Sequence, residues 1–278
     1  MEMKFLERVP VLRRFGPPVP TVAVIRFEGV IATRSQRALN LRRFAGALER
    51  AFKTRGLKAV ALAINSPGGS PAQSALLFRR IRQLAAERSV PVIAFTEDVA
   101  ASGGYWLALA ADEIYAEDTS LIGSIGVITA GFGFVEAMNR LGIERRLFTA
   151  GDNKSLLDPF LPEREQDVAR LKTLQRDLHD SFKDLVRERR GGKLKGDEAT
   201  LFSGEVFTGR RALGLGLIDD IGELRGVMRG MFGESVRLRL IEADRRRRFA
   251  LNRLVPAFSI DAGDVAGDLL TRIEERLI

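Results

Sequence analysis

The feature that most constrains the fold is an alternation of short apolar runs with longer amphipathic segments. Residues 21–30 and 58–65 are apolar runs of strand length, rich in β-branched side chains, and residues 39–54 between them repeat apolar side chains at helical spacing. Strands that are separated by helices pair in parallel through crossover connections. The chain is therefore predicted to be an α/β protein with a mainly parallel sheet.

The same criteria apply along the rest of the chain. The predicted strands are 21–30, 58–65, 90–96, 113–116, 125–129, 144–148 and 236–241. The predicted helices are 39–54, 70–88, 103–111, 134–141, 163–190, 209–215 and 221–232. We expect three parts: an N-terminal segment, peripheral or disordered, at 1–20; an α/β domain with a C-terminal helical extension at 21–244; and a tail or helix at 245–278.

The composition excludes several kinds of site. A chain of 278 residues can bury a hydrophobic core without disulfide bonds or structural metal ions. It contains no cysteine and one histidine, His179. Disulfide frameworks, thiolate nucleophiles, iron–sulfur clusters and Cys-ligated zinc are excluded, as are His-rich metal sites. We expect no metal and no cofactor. Any Ser-His-Asp triad would have to use His179, which lies in the long polar helix predicted over 163–190.

The charge balance is basic, with a net charge of +8 and a pI near 10.2. The arginines are spread along the chain, and two Tyr and one Trp offer little surface for base stacking. We therefore expect a solvated basic surface and no specific nucleic-acid partner. The densest run, Arg245 to Arg248, is interpreted either as a solvated corner or as a contact with an acidic surface.

No apolar run approaches the roughly 18 to 20 residues of a membrane-spanning helix. Residues 1–20 lack the apolar core of a secretory leader, but they mix apolar and basic side chains. Contact with an anionic membrane surface is therefore an alternative to a simple solvated segment. The expected location is the cytoplasm or the membrane periphery, with no transmembrane segment in this chain.

Two glycine-containing loops follow predicted strands. The loop NSPGGS at 65–70 would present backbone amides to a substrate oxygen, although a strand-to-helix turn with Ser70 as the helix N-cap explains it equally well. In VAASGGY at 99–105, Ser102 is flanked by small residues that would admit an acyl group, and the Gly103 amide would face a developing oxyanion. The alternative is that Ser102 only caps a helix.

A nucleophilic serine requires a base. His179 is more typical of a solvated or packed histidine, which leaves a lysine that is neutral when it accepts the proton. The pKa of an unperturbed lysine is about 10.4, and burial can lower it by up to roughly 3 to 5 units. Lys154 lies in a glycine-containing loop with Pro159 and Phe160 available to cover it, although such a lysine can equally be a solvated loop charge.

Several segments carry a combined signature that none of them carries alone. They are INSPGG at 64–69, ASGGY at 101–105, LIGSIGV at 121–127, the lysine loop at 151–160, and GEVFTG at 204–209 leading into GLGLID at 214–219. Together they resemble the signal peptide peptidase A, or protease IV, family of bacterial serine peptidases in its compact single-domain form. The resemblance runs from about residue 22 to residue 222.

The resemblance implies a Ser–Lys dyad with Ser102 as the nucleophile and Lys154 as the general base. Ser124 matches a family serine that orients the lysine ammonium group. The family is built on the crotonase and Clp-protease α/β superfold. Its members form homo-oligomeric rings in which the serine and the lysine can come from neighbouring subunits.

The resemblance also assigns the oxyanion hole to the backbone amides of Gly69 and Gly103, with Gly68 beside them. It implies a serine endopeptidase that acts through an acyl-enzyme on remnant signal peptides or other unfolded polypeptides. Small or apolar residues are expected before the scissile bond, because the sequence neighbours of Ser102 (Ala100, Ala101, Gly103 and Gly104) are small and because of the resemblance. Family members usually carry an N-terminal membrane anchor, and this chain shows none, which leaves the choice of substrate open.

Two other functions compete with this interpretation. A crotonase-type acyl-CoA enzyme would use the same pair of amides to hold a thioester enolate, but it has little use for a Ser–Gly–Gly loop paired with a lysine loop. A non-catalytic membrane-organising scaffold would use only oligomerisation and the basic surface. The presence of both Ser102 and Lys154 favours the peptidase.

Overall fold

The computed structural model describes residues 19–33, 37–151 and 153–243. The predicted C-terminal part at 245–278 lies outside the described residues, as do all but the last two residues of the predicted N-terminal segment at 1–20. The strands are β1 (Thr21–Glu28), β2 (Leu57–Ser66), β3 (Val92–Ala101), β4 (Glu113–Ala116), β5 (Leu121–Gly123), β6 (Val206–Thr208), β7 (Asp220–Ile221) and β8 (Arg237–Leu240).

The helices surround this sheet. They are α1 (Leu41–Phe52), α2 (Pro71–Arg88), α3 (Gly103–Ala108), α4 (Val135–Arg140), α5 (Glu165–Arg190), α6 (Glu198–Leu201), α7 (Gly209–Gly214) and α8 (Leu224–Phe232), and a 3₁₀ turn, Gly191–Lys193, follows α5.

The strands form one sheet in the order β6-β5-β3-β2-β1-β8, and β4 pairs with both β3 and β7. Every pairing is parallel except the antiparallel contact of β5 with β6. This confirms the predicted α/β class with a mainly parallel sheet. The carboxyl ends of β1, β2 and β3 meet at one edge of the sheet, which is where a doubly covered parallel sheet usually places its binding site.

The two faces of the sheet are covered to different extents. The larger core contains Ile25 and Phe27 of β1 together with apolar side chains of α1, α2, α3 and α5. The smaller core contains Val22 and Val24 of β1 and is covered by α8. Because both faces are covered over most of β2, that strand is almost continuously apolar, as expected for the centre of a parallel sheet.

Two predicted strands are wrong. Residues 125–129 are not a strand, because the chain turns away from the sheet at Gly123 and Ser124, whose φ angles are 106° and 49°. Residues 144–148 are also irregular, since they lie in an exposed segment beside which no strand runs within the described residues. Residues 125–129 have strand-like composition and 144–148 do not, but neither segment pairs with a strand within the described residues.

The other predicted elements are all present, with most ends within three residues and 113–116 correct at both ends, but β3 continues five residues beyond the predicted end at 96. Asn40 caps α1 by accepting a hydrogen bond from the Arg43 amide at 3.0 Å. Ser70 caps α2, as its alternative interpretation predicted, and Pro71 occupies the first helical position. In the part of the chain that the structure describes, no helix is both long enough and apolar enough to cross a membrane.

Candidate active site

The register of two parallel strands places Ser102 beside Ser124. Ala101, the last residue of β3, pairs with Gly123, the last residue of β5, and the Ser102 amide donates to the Gly123 carbonyl at 2.8 Å. The two serines are therefore the next residues on adjacent strands. Strand spacing in a sheet is about 4.8 Å, so these two backbones run as immediate neighbours.

Ser102 has a strained backbone. Its φ of 51° and ψ of −121° lie outside the regions that a residue with a side chain normally adopts. Its side chain makes no capping hydrogen bond to α3, so capping does not account for this serine. Such strain at the turn from a strand into a helix presents the half-buried hydroxyl at the sheet edge, as in other activated serines.

Backbone amides converge on Ser102. A Cβ atom on Gly68 would lie 2.7 Å from the Gly103 nitrogen and 2.9 Å from the Ser102 Cβ, and one on Gly103 would lie 3.3 Å from the Gly69 nitrogen. Within the described residues, neither the Gly69 amide nor the Gly103 amide donates to a protein acceptor. Two unpaired N–H groups beside a serine are the donors that an oxyanion hole requires.

The loop that supplies Gly69 is fixed on both sides by Ile31. The Ile31 amide donates to the Gly68 carbonyl at 2.7 Å, and the Ser70 amide donates to the Ile31 carbonyl at 2.7 Å. Gly69 has a φ of 132°, and any side chain there would collide with the Ile31 carbonyl. Only glycine fits this position, and the loop is held in place before a substrate arrives.

Ser124 is anchored from the other direction. Its amide donates to the Glu205 carbonyl at 2.8 Å, so the GEVFTG segment noted in the sequence packs directly against it. The ring nitrogen Nε2 of His179 lies 3.0 Å from the carbonyl oxygen of Ile125, the residue after Ser124. No hydrogen bond joins His179 to Ser102 in the described part of the chain, and the histidine instead ties α5 to the loop that carries Ser124.

The helix behind Ser102 is anchored by a buried polar network that the sequence analysis did not identify. The Tyr105 hydroxyl in α3 donates to the Leu217 carbonyl at 2.7 Å, and burial raises the pKa of that hydroxyl. Nearby, Arg190 is 3% exposed and its guanidinium lies 2.6 Å from the Asp219 carboxylate. Burial would raise the pKa of Asp219, but hydrogen bonds from Arg190, Lys193 and the Ile114 amide together hold it below its usual value.

Lys154 is not at this site in the single chain. It lies in residues 127–163, which we call the arm, and its side chain is exposed. Across the described residues, no hydrogen bond joins Lys154 to Ser102 or Ser124. Pro159 and Phe160, which were expected to cover the lysine, are themselves exposed.

The arm packs mainly on itself. The rings of Phe134 and Phe160 stack with their centroids 5.4 Å apart, and Arg145 pairs with Asp158 at 3.1 Å. Helix α4 buries none of its residues. The fold thus brings together Ser102, Ser124 and the three glycines of the predicted site, and it leaves Lys154 on an exposed extension.

No group of three His, Asp or Glu side chains that could hold an ion occurs within the described ranges. The chemistry that the arrangement offers is attack by a hydroxyl on a carbonyl whose oxygen the two amides would stabilise.

Comparison with known proteins gives a family. The model of peptidase family S49 matches residues 85–234, a range that includes Ser102, Ser124 and Lys154.

Individual relatives extend this match. The chain is 49% identical over 256 residues to a protein of Brucella abortus (strain 2308) named Na(+)/H(+) antiporter NhaA, covering 91% of this chain and 34% of that protein. It is 36% identical over 171 residues to the chloroplastic serine protease SPPA of Arabidopsis thaliana, covering 60% of this chain and 24% of that protein. It is 32% identical over 206 residues to protease 4 of Haemophilus influenzae, covering 72% of this chain and 32% of that protein. The chain spans about a third or less of each of these relatives.

Proposed function

The chain belongs to peptidase family S49, the family of the signal peptide peptidase A enzymes, and on that premise we propose that it is a serine endopeptidase with a Ser–Lys dyad. The Ser102 hydroxyl attacks the scissile carbonyl as neutral Lys154 takes its proton. The amides of Gly69 and Gly103 stabilise the oxyanion. The tetrahedral intermediate then collapses: the C–N bond breaks, the Lys154 ammonium gives its proton to the leaving amine, and an acyl-enzyme on Ser102 remains. Lys154, neutral again, takes a proton from the water that attacks this ester, and returns it to the Ser102 oxygen as the carboxylic acid product leaves. Ser124 orients the lysine amine throughout.

The observation that carries the proposal is the convergence of two unpaired amides on a strained serine. The Gly103 amide belongs to the residue directly after Ser102, and the Gly68–Gly69 loop lies so close to the same serine that a Cβ on Gly68 would be 2.9 Å from the Ser102 Cβ. Each oxyanion-hole donor contributes about 10²- to 10³-fold to kcat in serine peptidases. An N-cap serine in an ordinary turn would need neither the strain nor the free amides.

The exposed position of Lys154 favours a dyad that is completed by a second copy of the chain. Ile128 and Phe148, on the same arm, are 88% and 91% exposed, which is more apolar exposure than a solvated loop usually carries. Contact with a neighbouring subunit would cover these side chains. It would also desolvate Lys154, and desolvation lowers the pKa of a lysine toward the range in which it acts as a base.

The substrates we propose are unfolded polypeptides, remnant signal peptides among them, cleaved after small or apolar residues. Ala100, Ala101, Gly103 and Gly104 surround Ser102 and are all buried, so the nucleophile is flanked by backbone and methyl groups rather than by charge. Apolar fit discriminates by only about 1 to 3 kcal/mol per methylene-sized change. Cleavage should therefore be permissive among apolar side chains.

Peptide hydrolysis by single variants tests the dyad. Ser102→Ala and Lys154→Ala should each lower kcat/KM by at least ~10³-fold, with Ser181→Ala, an exposed serine on α5, as the matched control. Lys154→Arg should be as inactive as Lys154→Ala, because arginine does not release its proton in this pH range. Wild-type activity should rise with pH as the lysine becomes neutral. A folded and fully active Lys154→Arg protein would remove Lys154 from the mechanism.

Mixing two inactive variants tests the shared site. If each site takes Ser102 from one subunit and Lys154 from the next, random exchange of Ser102→Ala with Lys154→Ala subunits restores about a quarter of the sites. The control is the same mixture with the double variant Ser102→Ala/Lys154→Ala in place of one partner, which restores none. Mixed oligomers that form and stay inactive would show that each chain carries its own complete dyad.

A further inference from the structure

A large groove opens on the face of the sheet that α8 covers only in part. Its volume is about 1110 Å³, and its walls come from the carboxyl ends of β1, β2 and β3, the loop after β4, and β8. Neither Ser102 nor the glycine loop lines it. We call this cavity the acidic groove, because five carboxylates and two guanidiniums line it: Glu28, Glu97, Asp98, Glu117 and Glu223, with Arg26 and Arg225.

The sheet register arranges part of this charge in a row. Glu28 pairs with Asn65, and because Ile64 pairs with Thr96, the next residue of β3, Glu97, lies beside Asn65. Thr96 in turn pairs with Ala116, so Glu117 lies beside Glu97. The row crosses four strands and spans about three strand spacings, or roughly 14 Å.

Four of the five carboxylates form no ion pair within the described residues, and one of these, Glu223, accepts hydrogen bonds from backbone amides of α8 instead. Glu97 pairs with Arg26 at 2.8 Å, but no Lys or Arg in the described ranges lies within ion-pair distance of Glu28, Asp98 or Glu117. Asp98 accepts a hydrogen bond only from the neutral amide of Asn65, at 2.5 Å. All three side chains are exposed. A negative groove of this kind is unusual on a chain whose net charge is +8, and it fits a cationic ligand.

Strand β8, close to the end of the described chain, forms one side of the groove. Strand β8 runs parallel to β1, with Leu240 opposite Val24 and the Ile241 amide donating to the Val24 carbonyl at 2.8 Å. Leu238 and Leu240 line the groove. Ala243, three residues after Leu240, is the last residue that the structure describes, and Asp244 comes next in the sequence. The four consecutive arginines Arg245 to Arg248 follow directly.

We propose that the arginine run Arg245 to Arg248 docks in the acidic groove of its own chain and crosses the carboxyl ends of β1 to β4. Four extended residues span about 13 Å, which matches the row of carboxylates. Guanidinium groups form bidentate hydrogen bonds with carboxylates, and a covalently tethered ligand binds at a high effective concentration. This is the acidic-surface contact that the sequence left as one of two interpretations of the run, and it does not depend on the peptidase assignment.

Disulfide trapping tests the docking directly, because the chain contains no cysteine of its own. Thr119, exposed on the groove, and Ala250, just after the arginine run, are both replaced by cysteine. The matched control pairs Ala250→Cys with Ala86→Cys, an exposed position on α2, the helix layer of the opposite face. We expect the groove pair to form the intrachain disulfide ~10-fold faster than the control pair at low salt, since tethered docking raises the local concentration.

Charge variants test whether the arginines cause the faster disulfide formation at the groove. The groove variant Glu28→Gln/Asp98→Asn/Glu117→Gln should reduce cross-linking to the control rate, as should replacing the four arginines by glutamine or adding 1 M salt. The comparison variant Glu87→Gln/Asp177→Asn/Glu188→Gln removes three exposed carboxylates from α2 and α5 and should leave the rate unchanged. Retained thermal unfolding midpoints show that each variant is folded.

Three results would overturn the proposal. Equal cross-linking at the groove and control positions would mean that the run does not dock there. Cross-linking that is insensitive to the groove charges would assign any contact to other residues. Products that form only between chains, detected by mixing the Thr119→Cys and Ala250→Cys single variants, would assign the groove to the tail of a second copy.

Discussion

The sheet and the arm treat their apolar side chains in opposite ways. In β1, Ile25 and Phe27 are fully buried, whereas Ile128 and Phe148 of the arm are almost fully exposed. The polar contacts differ in the same sense: Arg190 is buried against Asp219, while the arm's Arg146–Glu144 pair has side chains that are 73% and 71% exposed. The Ser102 half of the candidate site is thus fixed by packing within one chain. The Lys154 half lies on a segment whose packing the single chain does not complete.

The largest effect is expected from adding charge to the arm. Ile128→Asp with Phe148→Asp should prevent subunit contact and lower kcat/KM by roughly 10²- to 10⁴-fold, the contribution of a general base. The oligomer mass should fall, as measured by analytical ultracentrifugation, while the free energy of unfolding of the monomer stays unchanged. The control is Leu76→Asp with Met231→Asp, two exposed apolar residues outside the arm, which should keep activity within about twofold.

If the Ile128→Asp/Phe148→Asp variant is monomeric and still active, the proposed difference between the sheet and the arm is wrong. This result would mean that Lys154 reaches Ser102 within one chain, and that the exposed apolar side chains of the arm serve some purpose other than completing the site.

The buried ion pair should be the most sensitive polar contact of the sheet region. Asp219→Asn leaves the Arg190 guanidinium buried without its counter-charge, and we expect the free energy of unfolding in urea to fall by about 3 kcal/mol. Glu144→Gln breaks the exposed ion pair of the arm with Arg146, and it should change the free energy of unfolding by less than about 0.5 kcal/mol. Equal losses at the two positions would contradict the difference in burial.

A smaller loss is expected from a single methyl group. Gly104→Ala places a Cβ against the Ser66 carbonyl oxygen behind Ser102, and we expect it to lower the free energy of unfolding by about 2 kcal/mol. Gly131→Ala in the arm meets no atom within 4 Å and should change it by about 0.5 kcal/mol or less. A neutral Gly104→Ala variant would show that the site region is less tightly packed than the structure indicates.

The smallest expected effect is on how the free energy of unfolding decreases at low pH. Because hydrogen bonds hold the pKa of Asp219 below its unfolded value of about 3.9, this carboxylate stabilises the fold above that pH, and the contribution is lost as the pH falls through the native pKa. The free energy of unfolding of Asp219→Asn should therefore fall less between about pH 5 and pH 3 than that of the wild type. If the free energies of unfolding of the wild type and of Asp219→Asn fell equally with pH, Asp219 would not contribute to the loss of stability in acid.

Most of the sheet could be predicted because its strands are long, apolar and flanked by helices. The wrong strands at 125–129 and 144–148 show what the local sequence leaves out, because a segment becomes a strand only where a neighbour supplies hydrogen-bond partners. The β5 strand has three residues, and β7 has two. Segments so short carry no periodicity, so the sequence analysis did not find them.

The candidate site was predicted in part. Ser102 and the glycine loops stood out because each follows a strand, and the structure brings them together. The residue pattern by itself did not place Ser124 beside Ser102; only the family resemblance put it in the site, and its position depends on the pairing of Ala101 with Gly123. Nor did it show the Arg190–Asp219 pair or the row of carboxylates in the acidic groove, whose members lie far apart in the chain.

Alternating hydrophobicity determined the α/β class by itself, because the periods of strands and helices are local properties that each segment carries with it. Glycine in the loop of Gly68 and Gly69 likewise marked a close backbone approach. Which serines became neighbours, which amides stayed unpaired and which carboxylates lined one groove were decided only by the register of strands. Register depends on the packing of side chains across the whole sheet, so no local segment of the sequence contains it.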